Sequence, residues 1–424
     1  MTTGLDVSQL RGLAAVAPAV LAGGLWLSAP TARLRGAAFL AALWNVVGLL
    51  AVNAAAVQLG WWAFGTVGSM WAGVPVDVIV GWAVLWGAVP VLMMPWVTPV
   101  VPVAVLLAAD VLAMDSLQPL VVLRPNWWWG EALAVAVCLL PGVVLGVATA
   151  HRRMLRVRAT LQVVLFAAVV LFVCPTMTFA LTGTGWAEEW HRVGGPWDML
   201  WIQAGAVVAI IALRAVADFV HHGGTPFPWD PPPALVTGGP YAYLANPMQV
   251  SGVALLLIAA AVFGEPALVL AAGIAAVFSG GIAGWSEREH LRGRFGDDWI
   301  AYRRAVRDWL PRWHPCPQQP AARLYVAASC EPCRDVGSWL AARRPAALRV
   351  VAAEHHPGQL RRIRYEAADG TVLAGIRAVG AALAHVSLGY AVLGWLLRAP
   401  GLSGLLQLLA DAVGAGPRGV PEPS

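Results

Sequence analysis

Long apolar runs broken by short polar loops fill the first two thirds of the chain. A search for stretches of about 20 apolar residues, the length of a bilayer-crossing helix, finds nine segments: residues 10–28, 36–57, 76–95, 97–114, 131–150, 160–181, 199–220, 248–264 and 266–285. The last two are short and meet at Glu265-Pro266, which predicts a helical hairpin. After Pro311 the pattern changes. Pro315, Pro317 and Pro320 suggest a linker, and short alternating runs replace the long ones. They predict a strand over 323–327, a helix over 331–343 and a strand over 348–352. Strands over 361–365 and 371–373 flank Asp369-Gly370, a hairpin signal. The closing run 378–397 carries His385 and several glycines, which favours a buried helix pair over a tenth span.

Composition agrees with a chain solvated by lipid. It is 59% hydrophobic and 12% charged, with mean hydropathy +0.67, well below the roughly quarter-charged soluble average. Several of the 22 tryptophans, such as Trp61-Trp62 and Trp127-Trp128-Trp129, fall near expected span ends, as in an aromatic belt. The net charge of +5 rests on arginine alone, since the chain has no lysine. The arginines lie in loops rather than on one basic face, which argues against nucleic acid as a partner. Arg33 and Arg35 form one cluster, Arg152, Arg153, Arg156 and Arg158 a second, and residues 288–312 a third. With nine spans all three share one side, the cytoplasm, together with the C-terminal region. The net acidic loop 188–198 is then external.

Residues 224–312 carry the densest candidate chemistry. They open with Gly224-Thr225-Pro226 and Asp230-Pro231-Pro232-Pro233, continue through 235–248 (LVTGGPYAYLANPM), and run into the hairpin. They close with Glu287-Arg288-Glu289-His290-Leu291, Phe295-Gly296-Asp297-Asp298-Trp299, Tyr302-Arg303-Arg304 and Trp309-Leu310-Pro311. Prolines stiffen such a loop and withhold donors, while glycines let backbone approach a ligand. Carboxylates at Glu287 and Glu289 suit an amino group or a ribose, and Tyr241, Tyr243 and Trp299 suit an adenine. The hairpin brings the two flanking pieces together at one membrane surface.

This order of motifs resembles the isoprenylcysteine carboxyl methyltransferase and phospholipid methyltransferase superfamily of integral membrane enzymes. The resemblance covers roughly residues 156–312 and is strongest after Gly224. It implies S-adenosylmethionine as cofactor and a hydrophobic small molecule or lipid as methyl acceptor. It further implies that Leu235, Val236, Tyr241, Asn246, Pro247, Glu287 and Glu289 line the cofactor site, with Tyr302 and Arg303 supporting the closing segment. The chain departs from the family pattern in four places. Ala245 stands where an arginine usually precedes Asn-Pro, and Gln249 where a tyrosine follows Pro-Met. Arg288 replaces the second glutamate, and Ala283 replaces an arginine tied to the prenylcysteine substrate.

A second motif is Cys330-Glu331-Pro332-Cys333, placed after a strand and opening a helix. A thiolate there is stabilised by the helix dipole, and no second ligand pair suggests a metal. Cys330 is expected to be the more exposed, attacking thiol, and the pair to rest as dithiols. Residues from Arg323 to about Arg418 resemble DCC-type thiol-disulfide oxidoreductases, with Ala327-Ala328 where that family has Asp-Gly. Asn45, Asn53, Asp77 and Asp110 lie inside apolar segments, where polar groups bond between helices or serve function.

The expected fold is therefore mainly α: a polytopic transmembrane helical bundle with a small C-terminal α/β thioredoxin-like domain. Residues 1–150 form an N-terminal helical region, 151–315 a methyltransferase core and 321–424 the thioredoxin-like domain. The protein is expected in the cell membrane, with the lipid bilayer as a partner. The alternatives are a membrane-anchored thiol-disulfide oxidoreductase and a diverged non-catalytic scaffold. The arginine distribution makes a direct topological prediction. A reporter fused after Ser424 reads as cytoplasmic and one inserted at Glu188 as external; the reverse pattern in an alkaline phosphatase and fluorescent-protein fusion assay would overturn the orientation.

Overall fold

A computed structural model describes residues 6–417 except 67, 69, 228 and 229; the side chains of 113, 282–290, 413 and 415 also lie outside the description. The chain forms two compact units, Met1–Thr184 and Gly185–Ser424.

In the first unit α1 (Val7–Ser28) is started by Asp6, whose carboxylate accepts from the Gln9 amide at 2.8 Å while the Gln9 side chain accepts from the Asp6 amide. The central helix is α2 (Ala32–Leu59), capped by Thr31 and ended by Gly60 at φ +70. Ala37, Ala38, Ala41 and Ala56 on α2 are fully buried. Against them pack α3 (Val76–Leu92) and α5 (Trp127–Ala150), with α4 (Val100–Leu112) between in sequence and α6 (Leu155–Thr182) after. Close approach depends on small residues. A Cβ on Gly87 would run into the backbone of Ala41, and one on Gly146 would run into Val91. Two strands that the apolar pattern does not predict, β1 (Trp62–Phe64) and β2 (Val121–Leu123), pair antiparallel. Their backbone groups thereby satisfy each other at the helix ends.

Three of these helices widen into a π-turn just before a proline. The turns are Val84–Ala88 before Pro90, Val135–Leu139 before Pro141 and Val169–Val173 before Pro175. Proline offers no N–H and its ring crowds the carbonyl one turn back, so the helix makes room by adding a residue to that turn. Each span thus continues through its proline.

The second unit starts with α7 (Trp186–Arg192) and α8 (Pro196–His221). The Asp198 carboxylate caps α8 by accepting from the amides of Gly194 and Gly195 at 3.0 and 2.9 Å. The expected hairpin is present as α9 (Pro247–Phe263) and α10 (Pro266–Gly281), turning at Gly264 with φ +66. It leads into α11 (Gly284–Ala305), which is broken at Gly296 with φ +52.

Beyond 320 a four-stranded sheet has the order β4-β3-β5-β6, built from β3 (Ala322–Val326), β4 (Leu348–Ala352), β5 (Arg364–Ala367) and β6 (Val372–Ala374). β3 and β4 are parallel and the other pairs antiparallel. The crossover from β3 to β4 is α12 (Glu331–Ala342). The hairpin turn falls at Asp369-Gly370 as expected, but β5 starts at 364 rather than 361 because only from there does it pair with β3. Three helices follow: α13 (Ile376–Leu383), α14 (Leu388–Leu397) and α15 (Leu402–Ala410). The proline-rich stretch before the sheet is no free linker. Cys316 is fully buried, its amide donates to Ala242, and the Gln318 carbonyl accepts from Thr237 at 2.7 Å.

Among the described residues five helices are individually long and apolar enough to cross a membrane: α1, α2, α5, α6 and α8. α3, α4, α9 and α10 are shorter apolar helices, and α14 with α15 forms an apolar pair bent by 90°. These helices are those of a membrane protein.

Candidate functional site

The loop between α8 and α9 is folded back on itself and pinned at both ends. Thr225 and Asp230 bond to each other through backbone and side chain, both at 3.1 Å. Gly239 sits at φ +59 against the carboxylate of Asp218, which pairs with Arg214 one turn earlier on α8. A Cβ there would collide with that carboxylate, so this turn needs glycine. Tyr241 stacks on Phe219 of α8 with centroids 5.1 Å apart. Its carbonyl accepts from the Tyr302 hydroxyl of α11 at 2.9 Å. Tyr241, Tyr302 and Val236 are all buried, as is Pro247, the first residue of α9.

Tyr243 is also buried, at 1% exposure. Its hydroxyl donates to the Ala384 carbonyl at 2.9 Å and its ring meets Trp395 edge-on, so it is unavailable to cover an adenine. The segment after α11 runs alongside: Ala245 donates to Arg307, and Arg312 donates to Tyr243. Leu235, Ala245, Trp299 and Val306 join the same apolar cluster.

A polar group marks the start of α9. Asn246 donates to one oxygen of Asp308 at 3.0 Å, and Arg303 donates to the other at 2.6 Å. The Arg303 guanidinium also lies over the Trp299 ring, 5.4 Å from its centroid. Gln249, in the first turn of α9, has a buried side-chain oxygen with no hydrogen-bond partner among the described residues. An unmet buried acceptor is costly unless a donor arrives. It suits a donor such as an amino group. Glu287 and Glu289 lie on α11, but their side chains are outside the described residues.

The cysteine pair is drawn together by α12. Cys330 is its N-cap and Cys333 lies in its first turn, with Cα atoms 5.2 Å apart and the sulfurs joined as a disulfide rather than resting as dithiols. The exposure order expected from sequence is reversed: Cys330 is 6% exposed and Cys333 partly open. Cys333 packs against the apolar core of the sheet and α12. Both line a cavity of about 210 Å³ walled also by Ile363, Ile376, Val379 and Gln407.

Behind the sheet a buried polar chain holds the C-terminal elements. His385 bonds the Ala346 carbonyl through Nδ1 at 2.7 Å, which places the hydrogen on that nitrogen. Nε2 then accepts from the Tyr365 hydroxyl at 2.8 Å. Burial pulls the His385 pKa from 6.5 down to about 4. His221 at the end of α8 reaches the Asp369 carbonyl at 3.1 Å, tying that helix to the β5–β6 turn. These pairings have no sequence signal, because their members lie far apart in the chain.

In the first unit three of the four polar residues singled out within apolar segments, Asn45, Asn53 and Asp77, have structural partners. Asn45 and Asn53 donate to carbonyls one turn back on α2, and Asn53 accepts from Trp62 at 3.1 Å. Asp77 pairs with Arg11 through two bonds of 2.7 and 2.9 Å. Asp110 is buried. Glu131, which begins an apolar segment in the sequence, lines a cavity of about 50 Å³ with Trp62, Trp82, Trp86 and Trp127.

Residues 197–298 match the family model described as Phospholipid methyltransferase, about a quarter of the chain. The match takes in α8, the folded loop, the hairpin and α11 to just past its break. It supports a methyltransferase core in the membrane. No curated protein matches the chain, and neither does any solved structure.

The buried His385 sets a pH dependence. Its folded pKa is depressed, so the unfolded chain binds the extra proton. The stability it contributes is complete above ~6.5 and is lost as pH falls towards ~4, by at most about 3 kcal/mol. Unfolding midpoints of detergent-solubilised protein drop across this window, and His385→Gln flattens that drop. An unchanged slope in the variant would refute the assignment.

Proposed function

We propose that the protein is an integral membrane methyltransferase that uses S-adenosylmethionine to methylate a hydrophobic or lipid-like acceptor. The observation that carries this reading is the family match over α8 to α11. The polar group at the start of α9 supports it, because it leaves an unmet buried acceptor inside the matched segment. When bound, S-adenosylmethionine supplies a methyl group activated by its sulfonium charge.

The chain's own work is to bind and orient, since methyl transfer by displacement gains more from alignment and exclusion of water than from acid–base catalysis. Gln249 would accept from an amino group, and Asn246, held by Asp308, would fix the polar end. Glu287 and Glu289 would take the remaining donors. Leu235, Val236 and Pro247 would form the apolar wall, and the buried Tyr241–Tyr302 contact would keep the loop in shape beneath it. Arg303, fixed between Asp308 and Trp299, would close the segment. The acceptor would come from the lipid side of the hairpin. The alanine at 283, where prenylcysteine enzymes carry an arginine, argues against a prenylcysteine carboxylate as that acceptor.

Detergent-purified protein is expected to bind S-adenosylhomocysteine in calorimetry. Glu287→Ala weakens this by about 10- to 100-fold, the loss of one or two bonds to a charged group. A wild-type protein that binds none would overturn the reading.

A second role rests on a separate observation. The sheet order β4-β3-β5-β6, with a CxxC at the N-terminus of the crossover helix, supports reading this region as a thioredoxin-like redox module. In this role the disulfide accepts two electrons from a partner dithiol, or the reduced pair donates them to a partner disulfide, through a mixed disulfide. The helix dipole favours the thiolate of Cys330, and burial opposes it. In the reduced full-length protein, alkylation across pH is expected to give an apparent pKa for Cys330 below the ordinary ~8.5. A value at or above that identifies a structural module instead.

A further inference from the structure

The last helix, α15, has its polarity turned inside out. At 100° per residue, Leu402, Leu405, Leu408 and Leu409 fall in an arc of about 120°. All four are exposed, at 39, 56, 68 and 55%. The polar residues face the protein. Gln407 accepts from the Ile376 amide at 2.8 Å and donates to Asp411, and buried Ser403 accepts from Arg377 at 3.0 Å. A helix lying on a water-facing surface shows the reverse arrangement. Four neighbouring exposed leucines require an apolar medium.

The helix is also continuous with the membrane part of its own unit. α14, joined to α15 through the 90° bend, packs Leu388, Val392 and Trp395 in one cluster with Ile211 of α8. Ile211 lies ten residues from the end of that apolar span, about 15 Å along a helix of about 39 Å. A hydrocarbon core of about 30 Å therefore reaches the level at which α14 touches α8.

We propose that α15 lies in the surface of the bilayer, its leucine face in lipid, as an amphipathic anchor for the CxxC region. The occupant of the apolar face is lipid rather than a second copy, because α14, which leads into this helix, packs on the apolar span α8. The inner face of the same helix supplies Gln407 and Ala410 to the cavity beside Cys330 and Cys333. The thiol pair is thereby held about one helix diameter, roughly 10 Å, from the membrane surface. This inference rests on the membrane reading of α8.

The test is photo-crosslinking of the full chain in vesicles of phosphatidylethanolamine and phosphatidylglycerol. Leu405→benzoylphenylalanine and Leu408→benzoylphenylalanine replace exposed side chains, so the packing of the helix is kept. Leu213→benzoylphenylalanine on α8 reports the span, and Arg349→benzoylphenylalanine on the edge strand β4 reports water. Mass spectrometry is expected to find lipid adducts at 405 and 408 as abundant as at 213 and several-fold above 349. Lipid adducts at 213 with none at 405 and 408 would overturn the anchor alone. Adducts from 405 to a second chain would replace lipid by a dimer contact and overturn it equally. Absence of lipid adducts at 213 as well would overturn the membrane reading together with it.

Discussion

The Tyr243 hydroxyl donates its hydrogen to the carbonyl of Ala384, 141 residues further along the chain. Both groups are buried, so neither can fall back on water if the contact opens, and each would then carry the full desolvation cost. Around this bond close Trp395 of α14, Tyr302 of α11, Val306 and Cys316. The loop, the end of α11 and the C-terminal helices therefore share one core. What an apolar profile divides into a membrane enzyme and an attached soluble domain is in cohesion a single unit from Gly185 onward. The C-terminal region cannot be treated as a removable tag, since cutting near 320 would strip the Ala384 acceptor and the Trp395 ring from Tyr243.

The same seam shapes the candidate cofactor loop. Tyr243 is held from below by Ala384, Tyr241 from the side by Phe219, and Gly239 lies on the Asp218–Arg214 pair. A loop fixed at three points keeps its backbone groups where a ligand would need them without paying to order them on binding. Asp218 belongs to the matched segment while His221, one turn on, is bonded to the β5–β6 turn.

Much of the architecture was legible in the chain because it depends on local pattern. Apolar runs of membrane length, the Glu265-Pro266 break, the Asp369-Gly370 turn and the strand–CxxC–helix order each announce themselves within a few residues. The candidate site was legible as a set of residue types but not as a geometry. Tyr241 and Tyr243 look equivalent in sequence, two residues apart, yet one lies under the loop against α8 and the other is bonded to Ala384. Only the tertiary partners distinguish them. The same holds for Pro315–Pro320, whose composition suggests a linker while its backbone bonds Ala242 and Thr237. Arg11 with Asp77, and His385 with Tyr365, are pairings between distant segments that no spacing rule could supply.

The closing helices show why hydrophobicity alone misreads a surface. Residues 378–397 are apolar because they are buried inside protein, where α13 and α14 pack on the sheet and on α8. Residues 402–410 are equally apolar for the opposite reason, since their leucines point outward and their few polar groups point in. A profile along the sequence sees two like apolar runs separated only by Arg398-Ala399-Pro400-Gly401. Only the direction in which Ser403 and Gln407 face separates a core helix from one solvated by lipid. Their hydrogen bonds to Arg377 and to the Ile376 amide settle that direction, because a buried polar side chain must find its partner inside. The two polar residues of α15, more than its leucines, are what fix the face this helix turns outward.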